Sequence, residues 1–299
     1  MTAMEELKAI VSPEWGLTDD GYITSQYGAR LHFESSGAGQ VHFSFLEEHP
    51  DLSFAWYMDG KKVADLGLEG HDLTVKLPAG DHDQQLILQQ WATGQVDFWR
   101  QGVVLTDFST DTEVTAPILD GAYWTFVGDS ITAGELMEGR QHRPDLSFPA
   151  IVAKHFQRPL ARIAYGGTGL TVRAPFQEPT AIQALWQVGP DLMRPRPQTD
   201  LVIVNYGLND ANYGASRQEF AFGLRVYLLE LIKRFHQARM VLVTPLNGAF
   251  VDVFKEEVAR FDCFEILDSS EWGIMPEGRH PNVSEHQAIA AKIIEYLED

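Results

Sequence analysis

The chain is poor in cysteine. Cys263 stands alone among 299 residues, so no internal disulfide can form. It lies in the apolar stretch 261–267 and is expected to be a small buried core residue, not a reactive thiol. Positive charge is also scarce: 23 Lys and Arg face 42 Asp and Glu, giving a formal net charge of −19. A surface that acidic repels phosphate backbones and anionic lipid heads, which argues against nucleic acid and membrane surfaces as partners. Neutral substrates such as sugars or simple esters suit it better, though the acidity also serves plain solubility. Long apolar runs are missing, and no segment is long enough to span a bilayer. Residues 1–15, which include Glu5, Glu6 and Lys8, lack the basic start and apolar run of a signal peptide. A cytoplasmic location is expected on that ground. No internal repeat and no low-complexity tract is visible.

What is present is the composition of a globular protein, with 44% hydrophobic and 22% charged residues, enough for a substantial core. Two rhythms divide it. Residues 21–120 carry short alternating runs at 41–46, 53–58, 73–77, 84–90 and 96–105. Turn chemistry such as Asp59-Gly60 and Pro78-Ala79-Gly80 separates them. No helical period appears in this half beyond the first ten residues. Alternation at this spacing predicts a jelly-roll-like β-sandwich over residues 1–120. After Asp120, strands (123–127, 162–165, 201–205, 240–244, 264–267) interleave with helical patterns (148–156, 181–188, 217–237, 284–297). The Pro-rich piece 194–197 reads as a loop entering the third strand. That order predicts, for residues 121–299, a three-layer α/β/α domain around a parallel sheet.

In such a sheet, ligands bind beyond the carboxyl ends of the strands. The first strand ends in Gly128-Asp129-Ser130-Ile131-Thr132, where Ser130 opens the next helix either as a displayed hydroxyl or as a plain cap. The second ends in Tyr165-Gly166-Gly167-Thr168-Gly169, a bare-backbone loop that suits either a tight turn or N–H donation to an anion. The third ends in Gly207-Leu208-Asn209-Asp210, where the Asn209 amide can donate to an oxyanion or the pair can form an Asx-turn. His280, before Pro281, falls in a loop ahead of the last helix. His286 and His142 read as idle histidines. Acyl transfer needs a nucleophile, a base and oxyanion donors. Ser130, His280 and the set of Ser130 N–H, Gly167 N–H and Asn209 amide supply all three at successive strand ends. No cluster of His, Cys and carboxylates suggests a metal, and the proposed chemistry calls for no metal or cofactor.

These four blocks resemble those of the SGNH (GDSL-type) hydrolases over residues 123–299. The resemblance implies that Ser130 is the nucleophile, His280 the general base, and Ser130, Gly167 and Asn209 the oxyanion hole. A β-sandwich leading through Gln89-Gln90-Trp91 and Val96-Asp97-Phe98 into the GDS block resembles carbohydrate esterase family two, whose members deacetylate xylan, mannan or related sugars. Residues 165–170 are similar to that group's second block. The family's usual acid, three residues before the histidine, is here Glu277. Glutamate can orient imidazole with a longer reach, so either Glu277 completes a triad or a Ser–His dyad operates with a backbone carbonyl.

The expected substrate is therefore a small-molecule or oligosaccharide ester carrying a short acyl group. Trp272, in the loop before His280, is expected to line the site, whereas Trp91, Trp99 and Trp186 read as core. A lysophospholipase- or thioesterase-like hydrolase of longer esters, a non-catalytic carbohydrate-binding protein, and acyl transfer to a second sugar are the competing readings. Sugar identity, acetyl position and oligomeric state are not legible in the sequence.

Overall fold

A computed structural model describes residues 3–90, 98–139, 141–274 and 280–299. Trp91, Val96, Asp97 and Glu277 lie outside the described residues. The first part of the chain contains helix α1 (Ala3–Ile10) and strands β1 (Gly16–Leu17), β2 (Tyr22–Thr24), β3 (Arg30–Ser36), β4 (Gly39–Phe45) and β5 (Leu52–Met58). These are followed by β6 (Lys61–Gly67), β7 (Asp72–Leu77), β8 (Asp81–Gln90), β9 (Val103–Thr110) and β10 (Glu113–Thr115). The later part contains β11 (Tyr123–Gly128), α2 (Ser130–Ala133), α3 (Phe148–His155), β12 (Leu160–Ala164) and α4 (Ala181–Trp186). Then come β13 (Gln187–Gly189), β14 (Leu192–Met193), β15 (Thr199–Asn205), α5 (Leu208–Asn212) and α6 (Arg217–Phe235). β16 (Arg239–Val243), α7 (Val251–Val258), β17 (Phe264–Leu267) and α8 (Val283–Glu298) complete it.

Two compact units result: Met1–Leu119 with Arg140–Asp145 and Gln187–Arg196, and Asp120–Gly139 with Leu146–Trp186 and Pro197–Asp299. The first unit is a sandwich of two antiparallel sheets, ordered β1-β2-β9-β4-β7 and β10-β3-β8-β5-β6. Burial alternates along β3, β4 and β7 because each sheet has one face on the core and one in water. Phe33 and Phe43, one from each sheet, approach with ring centroids 6.1 Å apart, as do Phe45 and Phe54 at 5.9 Å. Of the two later segments, Arg140–Asp145 is tied in by Gln89 Nε2 and Tyr57 O–H donating to Asp145, at 2.8 and 2.9 Å, and Gln187–Arg196 by the Ser25 hydroxyl donating to the Val188 carbonyl.

The second unit holds a parallel sheet ordered β12-β11-β15-β16-β17. Here burial runs unbroken, as in β12 and along β16 from Met240, which is the mark of a sheet covered on both faces. On one face Phe126, Ile203 and Val241 join Phe148 and Val152 of α3 and Ile289 and Ile293 of α8 in a single core. Helices α6 and α7 pair with each other: Arg225 of α6 grips Glu257 of α7 through two bonds of 2.7 Å. Gly128 is level with Ala164 and Asn205, and Asn205 with Val243. The strand ends therefore form one edge, and the chain reverses direction of travel across the sheet at β11.

Three expectations need correction. Cys263 is exposed, because it occupies the turn just before β17 and not the strand itself. The run 96–105 is not one strand: Phe98–Arg100 form a turn, and β9 starts only at Val103. Residues 187–188 are not helical but begin β13, after α4 ends at Trp186.

Candidate active site

The site is built on the level edge of the parallel sheet. Gly128 ends β11, and a Cβ there would stand 2.6 Å from the Asn205 carbonyl oxygen, so the turn into α2 tolerates only glycine. Asp129, and not Ser130, caps α2: its carboxylate accepts the Ile131 N–H at 3.0 Å. The serine hydroxyl is thereby left for other work. It lies 2.9 Å from His280 Nε2, placed to donate its proton to the ring. His280 reaches this position from the loop preceding α8, whose start is fixed by a capping box between Asn282 and Glu285. Burial pulls the His280 ring below the ordinary histidine range, keeping it neutral and able to accept a proton.

Gly167 follows β12 in the left-handed region at φ +70°. Its carbonyl accepts from Phe176 N–H at 3.1 Å, while its own N–H donates to no described residue. A Cβ at Gly167 would sit 2.0 Å from the Phe176 ring, and that ring is 59% exposed. Asn209 stands in α5, entered through Gly207 at φ +112°. Its amide donates to the Thr168 carbonyl at 2.8 Å and reaches the second Asp129 oxygen at 3.4 Å. The Asx-turn alternative does not apply, because Asp210 instead accepts the N–H groups of Leu170 and Thr171, at 3.0 and 2.7 Å.

Three carboxyls surround this edge, none of them singled out by sequence reasoning. Burial pushes Asp129 up to about 7, opposed by the Ile131 N–H and assisted by the charge of Asp210. Asp210 is raised as well, again by burial. Glu135 is pushed up to about 7 by burial, against the bond from Gly166 N–H and with help from Asp129. The only signal for Asp129 and Asp210 was adjacency to the motif residues. None existed for Glu135.

Of the residues expected at the site, Ser130 and His280 are in hydrogen-bond contact. Gly167 and Asn209 flank the same edge through Thr168. Trp272 is half-buried against the core of the second unit. Trp99 is buried in the first unit, and Trp186 is half-buried with its indole N–H on Glu230 at 2.9 Å. His286 is fully buried, and His142 stacks on Tyr27. Among the described residues no group of three or more His, Cys, Asp or Glu side chains gathers to hold a metal ion, and no helix is long and apolar enough to cross a membrane.

A serine against an imidazole, beside backbone N–H groups that no described residue engages on a parallel-sheet edge, fits a carboxylic ester hydrolase, the class in which the comparisons place the protein. Residues 126–287, more than half of the chain, match the model of the GDSL-like lipase/acylhydrolase family, and the chain belongs to that family. Its fold is similar to that of a family two carbohydrate esterase from Cellvibrio japonicus, with 20% identity, a TM-score of 0.82, and coverage of 100% of this chain and 96% of that one. It is also similar to a family two carbohydrate esterase from Clostridium thermocellum in complex with cellohexaose, at 18% identity, TM-score 0.76 and 97% coverage of both chains. An acetyl xylan esterase from the rumen bacterium Butyrivibrio proteoclasticus matches at 14% identity and TM-score 0.76, covering 99% of this chain and 98% of that one. At such identities the likeness establishes the fold, sandwich included. No curated protein sequence matches the chain.

Proposed function

We propose that the protein removes acetyl groups from acetylated carbohydrates, xylo- or manno-oligosaccharides or related sugars, through an acyl-enzyme on Ser130. The observation that carries the reading is the 2.9 Å contact between the Ser130 hydroxyl and His280 Nε2. His280 takes the hydroxyl proton as Ser130 Oγ bonds to the acetyl carbon. The carbonyl oxygen gains the negative charge and is met by the N–H groups of Ser130 and Gly167 and the Asn209 amide. Collapse breaks the bond to the sugar oxygen, which leaves with the proton from His280. Water then attacks the acyl-enzyme, His280 again taking a proton, and acetate and free Ser130 are regenerated. Glu277 is proposed to orient the His280 ring and Trp272 to contact the substrate.

Carbohydrate as the alcohol is supported by the full-length likeness to family two carbohydrate esterases, one of them solved in complex with cellohexaose, and to a protein named as an acetyl xylan esterase. The excess of acidic residues favours neutral sugars.

Hydrolysis of longer acyl esters is the second reading. It draws on Val172 and Phe176, which are 81% and 59% exposed in the loop that packs on Gly167. The two separate by kcat/KM on p-nitrophenyl acetate, butyrate and octanoate. A steep fall beyond acetate is expected, and a preference for octanoate would give the second reading the lead.

A further inference from the structure

We propose that Glu135 is a positioning residue for ester hydrolysis: its carboxylate fixes the Gly166 amide and thereby aims the neighbouring Gly167 N–H into the oxyanion site. This rests on the functional reading above. The geometry starts at the nucleophile. Gly134 closes α2 in the left-handed conformation, and Glu135 N–H returns to the Ser130 carbonyl at 2.9 Å. The backbone that carries Glu135 is therefore fastened to the serine itself. From there Oε1 crosses to the next strand end and accepts the Gly166 N–H at 2.9 Å. The approach is so close that a Cβ on Gly166 would stand 2.1 Å from Oε2, so only glycine lets the carboxylate lie on the loop.

The loop it holds is pinned almost everywhere. Tyr165 O accepts from Thr168, whose own carbonyl takes the Asn209 amide. Gly167 O accepts from Phe176 N–H. What remains is the peptide unit between Gly166 and Gly167, whose C=O and N–H have no partner among the described residues. A planar peptide held on both sides has its orientation set by those two clamps. One is Phe176 N–H on Gly167 O, and the other is Glu135. Placing a half-buried carboxyl beside Asp129 is costly. Its retention close to its protonated form, near 7, is consistent with a role that needs an accepting oxygen more than a charge.

The test is kcat and KM on an acetyl ester for Glu135→Ala, Glu135→Gln and Glu135→Asp, with Ser130→Ala alongside and a melting temperature for each. Glu135→Ala is expected to lose about tenfold to a hundredfold in kcat, less than removal of a donor outright, while KM moves by less than about twofold. Glu135→Gln, whose amide oxygen accepts the same N–H, is expected to recover most of kcat. Glu135→Asp, one methylene short, is expected to fall with alanine. Unchanged kcat in Glu135→Ala, a loss confined to KM, or Glu135→Gln as impaired as Glu135→Ala would each overturn the role. Should the alanine variant not fold, the Gln-against-Asp comparison decides alone. Serine-independent activity would instead overturn the functional reading itself.

Discussion

At the scale of the residue, the proposed mechanism turns on the charge of His280. Its ring must be neutral to take the Ser130 proton, and burial lowers its affinity for a proton below the ordinary histidine value. Activity is carried by the deprotonated form, so kcat/KM should rise with pH along a limb whose midpoint lies below about 6.5. A pH–rate profile on a short ester checks this, and an ascending midpoint above that value would mean that burial does not govern the ring. The nearby carboxyls act in the same sense. Asp129, held near 7 by burial, carries less negative charge beside a developing oxyanion than an exposed aspartate would. The places of Ser130, Gly167 and Asn209 were readable in the sequence because each follows a strand in a short motif, and that of His280 because a proline follows it ahead of the last helix. The division of labour around them was not readable. That Asp129 does the capping, and so frees Ser130, depends on side-chain direction within one turn. The bond from Gly166 to Glu135 spans 31 positions with no periodic signal.

At the scale of the element, α8 does more than close the sheet. His286 in its first turn is fully buried, and its Nδ1 accepts the N–H of Phe148 at 3.2 Å, joining α8 to α3. Burial, aided by the charge of Arg162, lowers this histidine to about 3. In the unfolded chain it titrates near 6.5, so the stability it contributes is present above that pH and is lost as pH falls toward 3. The loss is on the order of 1 kcal/mol per pH unit in that window. Asp129 and Glu135, raised to about 7, act oppositely, stabilising at acid pH and losing that contribution as pH rises through 7. His286→Gln keeps an acceptor for Phe148 and removes the titration. Urea midpoints at pH 6.5, 5.5 and 4.5 should fall less steeply in this variant, and equal slopes would show that His286 is not held neutral.

Elements with a strong period were legible: the unbroken apolar runs of β15 and β16 and the long helices α6 and α8. Among the short helices, α3 and α4 were legible, whereas α5, five residues behind an αL glycine, is too short for a helical period to show, and α7, though as long as α3, was not anticipated. Cys263 was misjudged because apolar neighbours on both sides conceal a turn.

At the scale of the molecule, the change of rhythm at Asp120 marks the passage from antiparallel to parallel architecture, a contrast that follows from one-sided against two-sided burial. Composition does not reveal that the later segments Arg140–Asp145 and Gln187–Arg196 belong to the sandwich unit. Their attachment draws on single polar side chains, Tyr57 and Gln89 on Asp145 and Ser25 on the Val188 carbonyl, which carry no pattern along the chain. The sandwich and the parallel sheet bearing Ser130 are those of an ester hydrolase, and deacetylation of sugars is the activity proposed for it. The most direct measurement is acetate release from acetylated xylo-oligosaccharides by the wild-type protein and by Ser130→Ala, with melting temperatures matched. Release by the wild type and its loss by about a thousandfold or more in the variant is the expected result. Release that persists in Ser130→Ala would contradict the nucleophile at the centre of the mechanism.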